Sequence, residues 1–238
     1  MKEVVLAGIE DIIETYVTPE SLDGQLAELM REVRPYQWRK IEPLHPAEAA
    51  LLVVDMTKPF VDDEDCPLYS PNAHAIVTRV DELVEAFRAA GRPVIWLVQG
   101  HYSVEHDRGE HLSSWWPIAP LEGTSDVEMA AGLEAKDDKV IIKRRYSGFH
   151  QTDLECTLHC LGVSQLVISG VLTNVCPYST AVDAFMRDFS VYYIADCTAS
   201  LNRALHVGAL QNVAAWCGHV VAAEDILKAL LPSAGESG

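Results

Sequence analysis

The chain has 238 residues and a formal net charge of −17 at pH 7. This length suits one α/β domain better than two, and 49% hydrophobic with 22% charged residues is ordinary for a folded protein. Because phosphate binding needs clustered Lys and Arg, the acidic balance argues against nucleic acid as a partner. It argues equally against an anionic membrane surface.

The chain shows no segment that would direct it to a membrane or out of the cell. Glu3, Glu10 and Asp11 interrupt the apolar run that a signal peptide needs, and no apolar stretch approaches the roughly 18 residues of a spanning helix. The six cysteines include no CxxC pair, and a chain with a large core needs no disulfides. We interpret Cys156 and Cys160 as buried free thiols and expect a cytoplasmic protein.

The N-terminal part differs in pattern from the rest of the chain. Residues 1–45 form a predicted extension with helical stretches, which ends near Pro43. A main domain is predicted over residues 46–233, followed by a short tail, 234–238. We expect the extension to pack on its own domain or on a neighbouring subunit.

From Ala49 onward, short apolar runs alternate with longer amphipathic segments. Runs that are continuously apolar predict buried strands, and they cover residues 50–54, 93–98, 140–142, 166–169, 191–195 and 220–222. Helices are predicted over residues 72–90, 153–161 and 177–188, with one more between the last two strands and another after them. This alternation predicts an α/β fold, a three-layer α/β/α domain with a mainly parallel sheet of about six strands.

Reactive side chains follow three of these strands. Asp55 comes directly after the first strand, Lys143 directly after the third, and Cys176 a few residues past the fourth. In an open parallel sheet, ligands bind beyond the carboxyl ends of the strands. An Asp at a strand end is often a turn residue and a lone Lys there is usually solvated. Three reactive residues at one edge nevertheless favour a catalytic site.

Cys176 is followed by Pro177, and proline is favoured in the first position of a helix. Cys176 is therefore predicted to cap the helix over residues 177–188. The free N–H groups and the positive dipole end of that helix would lower the pKa of the thiol. The same N–H groups could hold an oxyanion during acyl transfer.

Several motifs occur in a fixed order at the strand ends. They are Val53-Val54-Asp55-Met56, Lys143-Arg144-Arg145-Tyr146-Ser147-Gly148-Phe149, Thr152-Asp153-Leu154, Gly170-Val171-Leu172-Thr173-Asn174-Val175-Cys176 and Ala195-Asp196-Cys197. In this order they resemble the isochorismatase-like cysteine hydrolase family. The resemblance covers about residues 48–222, which is most of the chain.

The resemblance implies a catalytic triad of Asp55, Lys143 and Cys176. It also implies a cis peptide between Val171 and Leu172, with the N–H groups of Leu172 and Cys176 forming an oxyanion hole. Asp55 would take the thiol proton and give it to the leaving amine, Lys143 would steady the separated charges, and water would hydrolyse a thioester. The resemblance implies no cofactor and, because relatives form dimers or tetramers, a homo-oligomer.

Differences within the family bear on metal and substrate. Nicotinamidases carry an Asp-x-His pair and further metal-binding histidines after the second strand. Here the stretch that begins at Gln99 lacks the acidic partner, and His101, His106 and His111 are spaced by five and do not share a helix face. We predict no metal site. Isochorismatases act on a vinyl ether and depart from thiol chemistry, so the presence of Cys176 disfavours that branch.

The pattern that begins at Lys143 and the long N-terminal extension are most similar to ureidoacrylate, biuret and N-carbamoylsarcosine amidohydrolases. In those enzymes a side-chain amide and a tyrosine help to hold the ureido group, and Gln99 and Tyr146 match their positions. Two features depart from the pattern. Met56-Thr57-Lys58-Pro59 lacks the Gln and Asn that ureidoacrylate enzymes carry, and Pro177 replaces the usual Val after the cysteine.

Aromatic residues near these motifs are candidate walls of a substrate pocket, although each could equally pack in the core. They are Phe60, Trp115, Trp116, Phe149 and Tyr178. Trp116 would belong to a lid formed by residues 100–125.

The sequence thus predicts a cofactor-free cysteine amidohydrolase that cleaves a non-peptide C–N bond in a small amide or ureido substrate through a thioester. Two alternatives stay open: an isochorismate-type vinyl-ether hydrolase and a non-catalytic binding protein on the same fold. A redox protein is a third, but the spacing of the cysteines offers no resolving partner.

Overall fold

The computed structural model describes residues 9–103, 106–116 and 118–231. The predicted tail, 234–238, lies outside the described residues, as do residues 1–8 of the predicted extension. The described chain contains a six-stranded sheet. Its strands are β1 Ala49–Val54, β2 Val94–Gln99, β3 Lys139–Lys143, β4 Gln165–Val171, β5 Ser190–Ala199 and β6 His219–Val221.

The strand order is β3-β2-β1-β4-β5-β6, and every neighbouring pair is parallel. In the register of β1, Val53 lies between Trp96 of β2 and Ser169 of β4. The chain proceeds outward from β1 in one direction and from β4 in the other. Such a reversal opens a crevice at the carboxyl ends of the two central strands, where open α/β sheets bind their ligands.

Helices cover both faces of the sheet. They are α1 Leu22–Val33, α2 Lys58–Val61, α3 Pro71–Ala75, α4 Val77–Ala89, α5 Glu110–Trp115, α6 Leu154–Cys160, α7 Cys176–Phe185, α8 Arg203–Trp216 and α9 Ala223–Leu230. The single helix predicted over residues 72–90 is divided into α3 and α4. The reason is Ile76, whose ψ of −6° departs from the helical value of about −42°.

Alternate side chains of β1 enter different cores. Leu51 and Val53 face a cluster with residues of α4 and α9, whereas Leu52 and Val54 face a cluster with residues of α6, α7 and α8. Because both faces of the strand are buried, its sequence is apolar at every position. The predicted three-layer α/β/α fold with a parallel sheet is confirmed.

The described part of the N-terminal extension lies on its own domain. Val33 of α1 is buried in the same core cluster as α8. Beyond α1, Trp38 Nε1 donates a hydrogen bond to the Ala215 carbonyl at 3.0 Å, and the Val220 N–H donates to Gln37 Oε1 at 3.0 Å.

Within the described residues, no helix combines the length and the apolar character needed to cross a bilayer.

The prediction that Cys156 and Cys160 are buried is wrong. All six cysteines are free thiols, but these two are exposed. Both lie on α6, where the core positions are taken by Leu154 and Leu158. Their spacing of four places them together on the solvent side of the helix.

Candidate active site

The fold brings the three reactive side chains together at the carboxyl ends of the strands. Asp55 directly follows β1, Lys143 is the last residue of β3, and Cys176 is the first residue of α7, which follows β4. Lys143 Nζ lies 2.7 Å from Asp55 Oδ2, and neither side chain is exposed to solvent. The Cys176 thiol is also buried, and both Asp55 and Lys143 lie near enough to act on its pKa.

Backbone contacts hold Asp55 in an unusual conformation. Its φ is 52°, in the left-handed region that non-glycine residues seldom occupy and that clusters at functional sites. The Asp55 N–H donates to the Leu97 carbonyl at 2.8 Å, and Asp55 Oδ1 accepts from the Gln99 N–H at 2.7 Å. Strand β2 therefore fixes both the main chain and the carboxylate, and leaves Oδ2 for Lys143.

Burial and neighbouring charges set the protonation of the site. Burial lowers the pKa of Lys143, but Asp55 and Cys176 outweigh it, so the pKa lies above its ordinary value and the ammonium stays charged. Burial raises the pKa of the Cys176 thiol, Asp55 raises it further, and Lys143 opposes both. The resting site thus holds an ammonium at Lys143 and a neutral thiol at Cys176.

This state differs from the sequence prediction in two ways. Helix α7 begins at Cys176 itself, and Val175 is the preceding cap residue. The expected lowering of the thiol pKa by the helix N-terminus is also wrong, because burial beside Asp55 dominates. The thiol must therefore lose its proton before it can act as a nucleophile.

The turn between β4 and α7 carries the predicted oxyanion-hole residues. The peptide between Val171 and Leu172 is cis, as expected. The turn is closed by a hydrogen bond from the Val175 N–H to the Leu172 carbonyl at 2.8 Å. Gly170 precedes it with φ 107°, and a Cβ at this position would lie 2.0 Å from the Val54 carbonyl oxygen. Only glycine lets β4 pass this close to β1.

A cleft opens over Cys176, with about 510 Å³ of empty space that includes open solvent. The structure brings most of the predicted site residues to its lining, namely Phe60, Gln99, Trp116, Tyr146, Leu172 and Cys176. Cys176 Sγ lies 3.9 Å from Gln99 Oε1. Trp116 Nε1 donates to the Tyr146 hydroxyl at 2.8 Å, which links the loops after β2 and β3.

Three predicted wall residues, Trp115, Phe149 and Tyr178, are not among those that line the cleft. Phe149 is buried in the core and packs against Phe189, with ring centroids 5.9 Å apart. Tyr178 packs against the same core cluster. A third candidate, Trp115, is 76% exposed. The structure therefore brings neither Phe149 nor Tyr178 to the cleft.

Other lining residues were missed from the sequence, and most lie far along the chain from the motifs. They are Ile9, Pro67, Leu68, Ile118, Pro120, Val175 and Leu201. Leucine, isoleucine and proline in loops and at the N-terminus carry no local signal for ligand binding. Val175, next to the nucleophile candidate, and Ile118 and Pro120, within the predicted lid of residues 100–125, could have been proposed from their positions.

The histidines after β2 take up local contacts. His101 Nδ1 lies 3.1 Å from Asp107 Oδ1, so this histidine has an acidic partner that spacing alone did not reveal. Burial lowers the pKa of His101. His106 Nδ1 lies 2.7 Å from Ser103 Oγ. In the described part of the chain, no three His, Cys, Asp or Glu side chains converge as metal ligands would.

Comparison with known proteins shows the family of the chain. Residues 49–225 match the family model described as the isochorismatase domain. The chain is 30% identical to ureidoacrylate amidohydrolase RutB of Methylobacterium radiotolerans over 220 residues, which cover 82% of this chain and 84% of that protein. A cysteine hydrolase from Pseudomonas syringae pv. phaseolicola has a similar structure, with a TM-score of 0.76 and 26% identity over 80% of this chain and 95% of that one.

A further relative is longer than this chain. Enterobactin synthase component B of Escherichia coli K12 is 32% identical over 190 residues, which cover 79% of this chain. The match spans only 65% of the length of that protein.

Proposed function

Because the chain belongs to the isochorismatase domain family, we propose that it is a hydrolase that cleaves the C–N bond of a small amide or ureido compound. One observation carries the proposal: the buried Cys176 thiol lines a cleft, and the buried Lys143–Asp55 ion pair lies near enough to act on its pKa. The similarity to a protein named as an amidohydrolase supports the choice of a C–N bond.

The first step of the proposed mechanism moves one proton. Asp55 Oδ2 takes the proton from Cys176 Sγ and leaves a thiolate beside the Lys143 ammonium. The net charge of the buried site does not change in this transfer. The thiolate can therefore form without any increase in the net charge of the buried site. An additional charge would be unfavourable there because the site is shielded from water.

The thiolate then attacks the carbonyl carbon of the substrate. The carbonyl oxygen becomes an oxyanion, which accepts hydrogen bonds from the Leu172 and Cys176 N–H groups in this proposal. Cys176 begins a helix, and the first N–H groups of a helix have no partner within it. When the C–N bond breaks, Asp55 returns the proton to the leaving nitrogen, and ammonia or an amine departs.

Water completes the cycle. Asp55 takes a proton from a water molecule, the hydroxide attacks the thioester carbon, and the C–S bond breaks. Asp55 returns its proton to the thiolate, and the carboxylic or carbamic acid leaves. The ion pair with Lys143 keeps Asp55 directed toward the site in both half-reactions. No step calls for a cofactor.

The polar groups of the cleft favour a ligand with N–H and C=O groups. Gln99 Oε1 lies 3.9 Å from Cys176 Sγ, within reach of a group bonded to the reacting carbon. Tyr146 already accepts a hydrogen bond from Trp116, so its own O–H remains to donate to a carbonyl or carboxylate oxygen. We propose that these two residues orient the amide or ureido group.

An ammonia-release screen tests the proposal. The wild-type protein and Cys176→Ala are incubated with ureido acids, biuret, maleamate and nicotinamide, and ammonia is measured. We expect release from at least one compound by the wild type and none by the variant. Release of pyruvate from isochorismate without any ammonia would favour vinyl-ether hydrolysis, and a folded protein that binds but converts none of these would favour a binding role.

We also propose that the protein works as a homo-oligomer, a dimer or tetramer. Several large apolar side chains are exposed on the chain, among them Trp38, Met186 and Trp216. Such residues are common at protein interfaces. Light scattering coupled to size-exclusion chromatography gives the mass directly, and a mass near the 26.2 kDa of one chain would contradict the proposal.

A further inference from the structure

The segment of residues 9–17 lies against the cleft, although it precedes the matched domain of residues 49–225. Ile9, at its start, lines the cleft together with Leu172 and Leu201. Tyr16, near its end, contacts the residues that support the turn between β4 and α7. The segment therefore contacts both the wall of the site and the support of its turn.

Hydrogen bonds to the buried side chain of Asn72 fix this segment. Asn72 Oδ1 accepts from the Tyr16 N–H at 2.9 Å and from the Val17 N–H at 3.3 Å. Asn72 Nδ2 donates to the Glu14 carbonyl at 2.8 Å. The Glu14 N–H donates in turn to the Leu201 carbonyl at 2.9 Å. The position of the segment is thus set by a polar side chain of α3 and by a residue of the cleft wall.

Tyr16 is joined to the turn through Ser200. The Ser200 N–H donates to the Tyr16 hydroxyl at 3.1 Å, and Ser200 Oγ donates to Asn174 Oδ1 at 2.5 Å. Asn174 lies in the turn, two residues before Cys176. The Ser200 carbonyl accepts from Asn72 Nδ2 at 2.9 Å. Ser200 is therefore held at its N–H, carbonyl and hydroxyl, and Tyr16 supplies the first of these contacts.

A second route runs through His206. The rings of Tyr16 and His206 stack with centroids 5.4 Å apart and an angle of 29°. His206 Nδ1 lies 2.8 Å from Thr173 Oγ1, and both side chains are buried. Thr173 directly follows Leu172, whose N–H is the proposed oxyanion donor. Two independent contacts of Tyr16 thus end on neighbouring residues of the same turn.

We propose that residues 9–17 complete the active site of their own chain, with Tyr16 positioning the oxyanion turn and Ile9 limiting the size of the acyl group. The proposal rests on the proposed hydrolase function. A displaced turn would misplace the donors for the oxyanion, which matters in the transition state more than in substrate binding. A smaller side chain at residue 9 would widen the part of the cleft that Ile9 lines together with Leu172 and Leu201.

Tyr16→Phe tests the positioning role, because it keeps the stacked ring and removes only the hydroxyl that accepts from Ser200. We expect kcat to fall about tenfold with KM within about twofold. Tyr36→Phe is the control, since Tyr36 lies on the same extension and is 45% exposed. A Tyr16→Phe protein with wild-type kcat and only a lower Tm would show a purely structural role and overturn the positioning proposal.

Ile9→Ala tests the wall, with Ile13→Ala as its matched control. Both isoleucines pack against the same core cluster, but Ile9 lines the cleft and Ile13 is not among the lining residues. For amides of increasing acyl size, we expect Ile9→Ala to raise the ratio of kcat/KM for large over small substrates by about tenfold. Ile13→Ala should leave that ratio unchanged. Equal ratios in all three proteins would overturn the role of Ile9.

A readout without turnover separates this proposal from the proposed function. Iodoacetamide and the bulkier iodoacetanilide both alkylate thiols, and mass spectrometry reports the rate at Cys176 alone. Ile9→Ala should speed the reaction with the bulky reagent relative to the small one, even if no amide proves to be a substrate. If the relative rate stays that of the wild type, the wall proposal fails while the hydrolase proposal stands on its own test.

Discussion

Lys143 Nζ lies 2.7 Å from Asp55 Oδ2, although the two residues are 88 positions apart in the chain. Neither side chain is exposed to solvent. A buried ion pair of this kind contributes little when intact, because desolvation offsets the attraction, but removal of one partner leaves an unpaired buried charge. The pair therefore makes the site sensitive to the loss of either residue.

Replacement of Lys143 by Met should cost on the order of 3 to 5 kcal/mol of unfolding free energy and should reduce turnover at least 100-fold, an order-of-magnitude expectation for a lost electrostatic partner. Lys139→Met is the matched control, because Lys139 begins the same strand and pairs with the exposed Asp153 at 2.8 Å. That surface pair should be worth about 1 kcal/mol or less. Urea unfolding and steady-state kinetics measure both effects, and equal losses in the two variants would contradict the prediction.

Cys176→Ser should nearly abolish turnover, since a serine hydroxyl does not ionise where the thiol can. Mass spectrometry with a slow substrate should find the acyl adduct on Cys176 and on none of the other cysteines. Cys156→Ser is the control, because Cys156 is exposed on α6 and should be dispensable. Full activity in Cys176→Ala, or an adduct on Cys197, would refute the assignment of the nucleophile.

Asp55→Asn should change the alkylation rate of the Cys176 thiol and the turnover of substrate in opposite directions. Burial raises the pKa of the Cys176 thiol, Asp55 raises it further and Lys143 lowers it, so removal of the carboxylate leaves burial opposed by the charge of Lys143. We expect Cys176 to react faster with iodoacetamide at pH 7 in Asp55→Asn than in the wild type, while turnover is lost. Lys143→Met should have the opposite effect on alkylation. Slower alkylation in Asp55→Asn would show that the carboxylate does not control the thiol in this way.

His206 should make the fold sensitive to acid. Burial lowers its pKa to about 3, Arg203 adds to the lowering, and a backbone contact with Ala195 opposes it. A histidine in the unfolded chain titrates near pH 6.5. Because the folded pKa is the lower of the two, the unfolded state binds more protons between about pH 6.5 and 3. Stability is therefore complete above pH 6.5 and falls as the pH drops through this window.

The measurement is urea unfolding at pH 7 and pH 4.5. Protonation of His206 should lower the free energy of unfolding by on the order of 2 to 3 kcal/mol between pH 7 and pH 4.5. His206→Gln should remove most of this loss. His74→Gln, on the exposed side of α3, is the control and should keep the wild-type dependence. An unchanged acid sensitivity in His206→Gln would assign the effect to other groups.

Much of the fold could be predicted from local sequence. Strand β1 is buried on both faces and is a continuous apolar run, and Gly91 and Pro177 mark element ends. The alternation of strands and helices then requires parallel pairing with helices on both faces. Because carboxyl ends of parallel strands share one edge, Asp55, Lys143 and Cys176 could be placed near one another before any coordinates were known.

Other features depend on contacts between distant segments, which the sequence does not encode locally. Whether Phe149 faces the cleft or the core depends on its packing against Phe189. The thiol pKa depends on burial beside Asp55, which a helix N-terminus alone did not predict. Ile9 and Tyr16 reach the site only because Asn72 holds their segment there.

The sequence by itself determined which strand each reactive residue follows and the edge of the sheet at which Asp55, Lys143 and Cys176 meet. Both could be predicted because periodicity and strand ends are local properties. Tertiary structure alone decided the cleft wall, the protonation of Cys176 and the contacts of the N-terminal segment. Those properties arise from exclusion of water and from atoms brought within a few ångströms across long stretches of chain. Their energies depend on distance and solvent exposure rather than on position in the sequence.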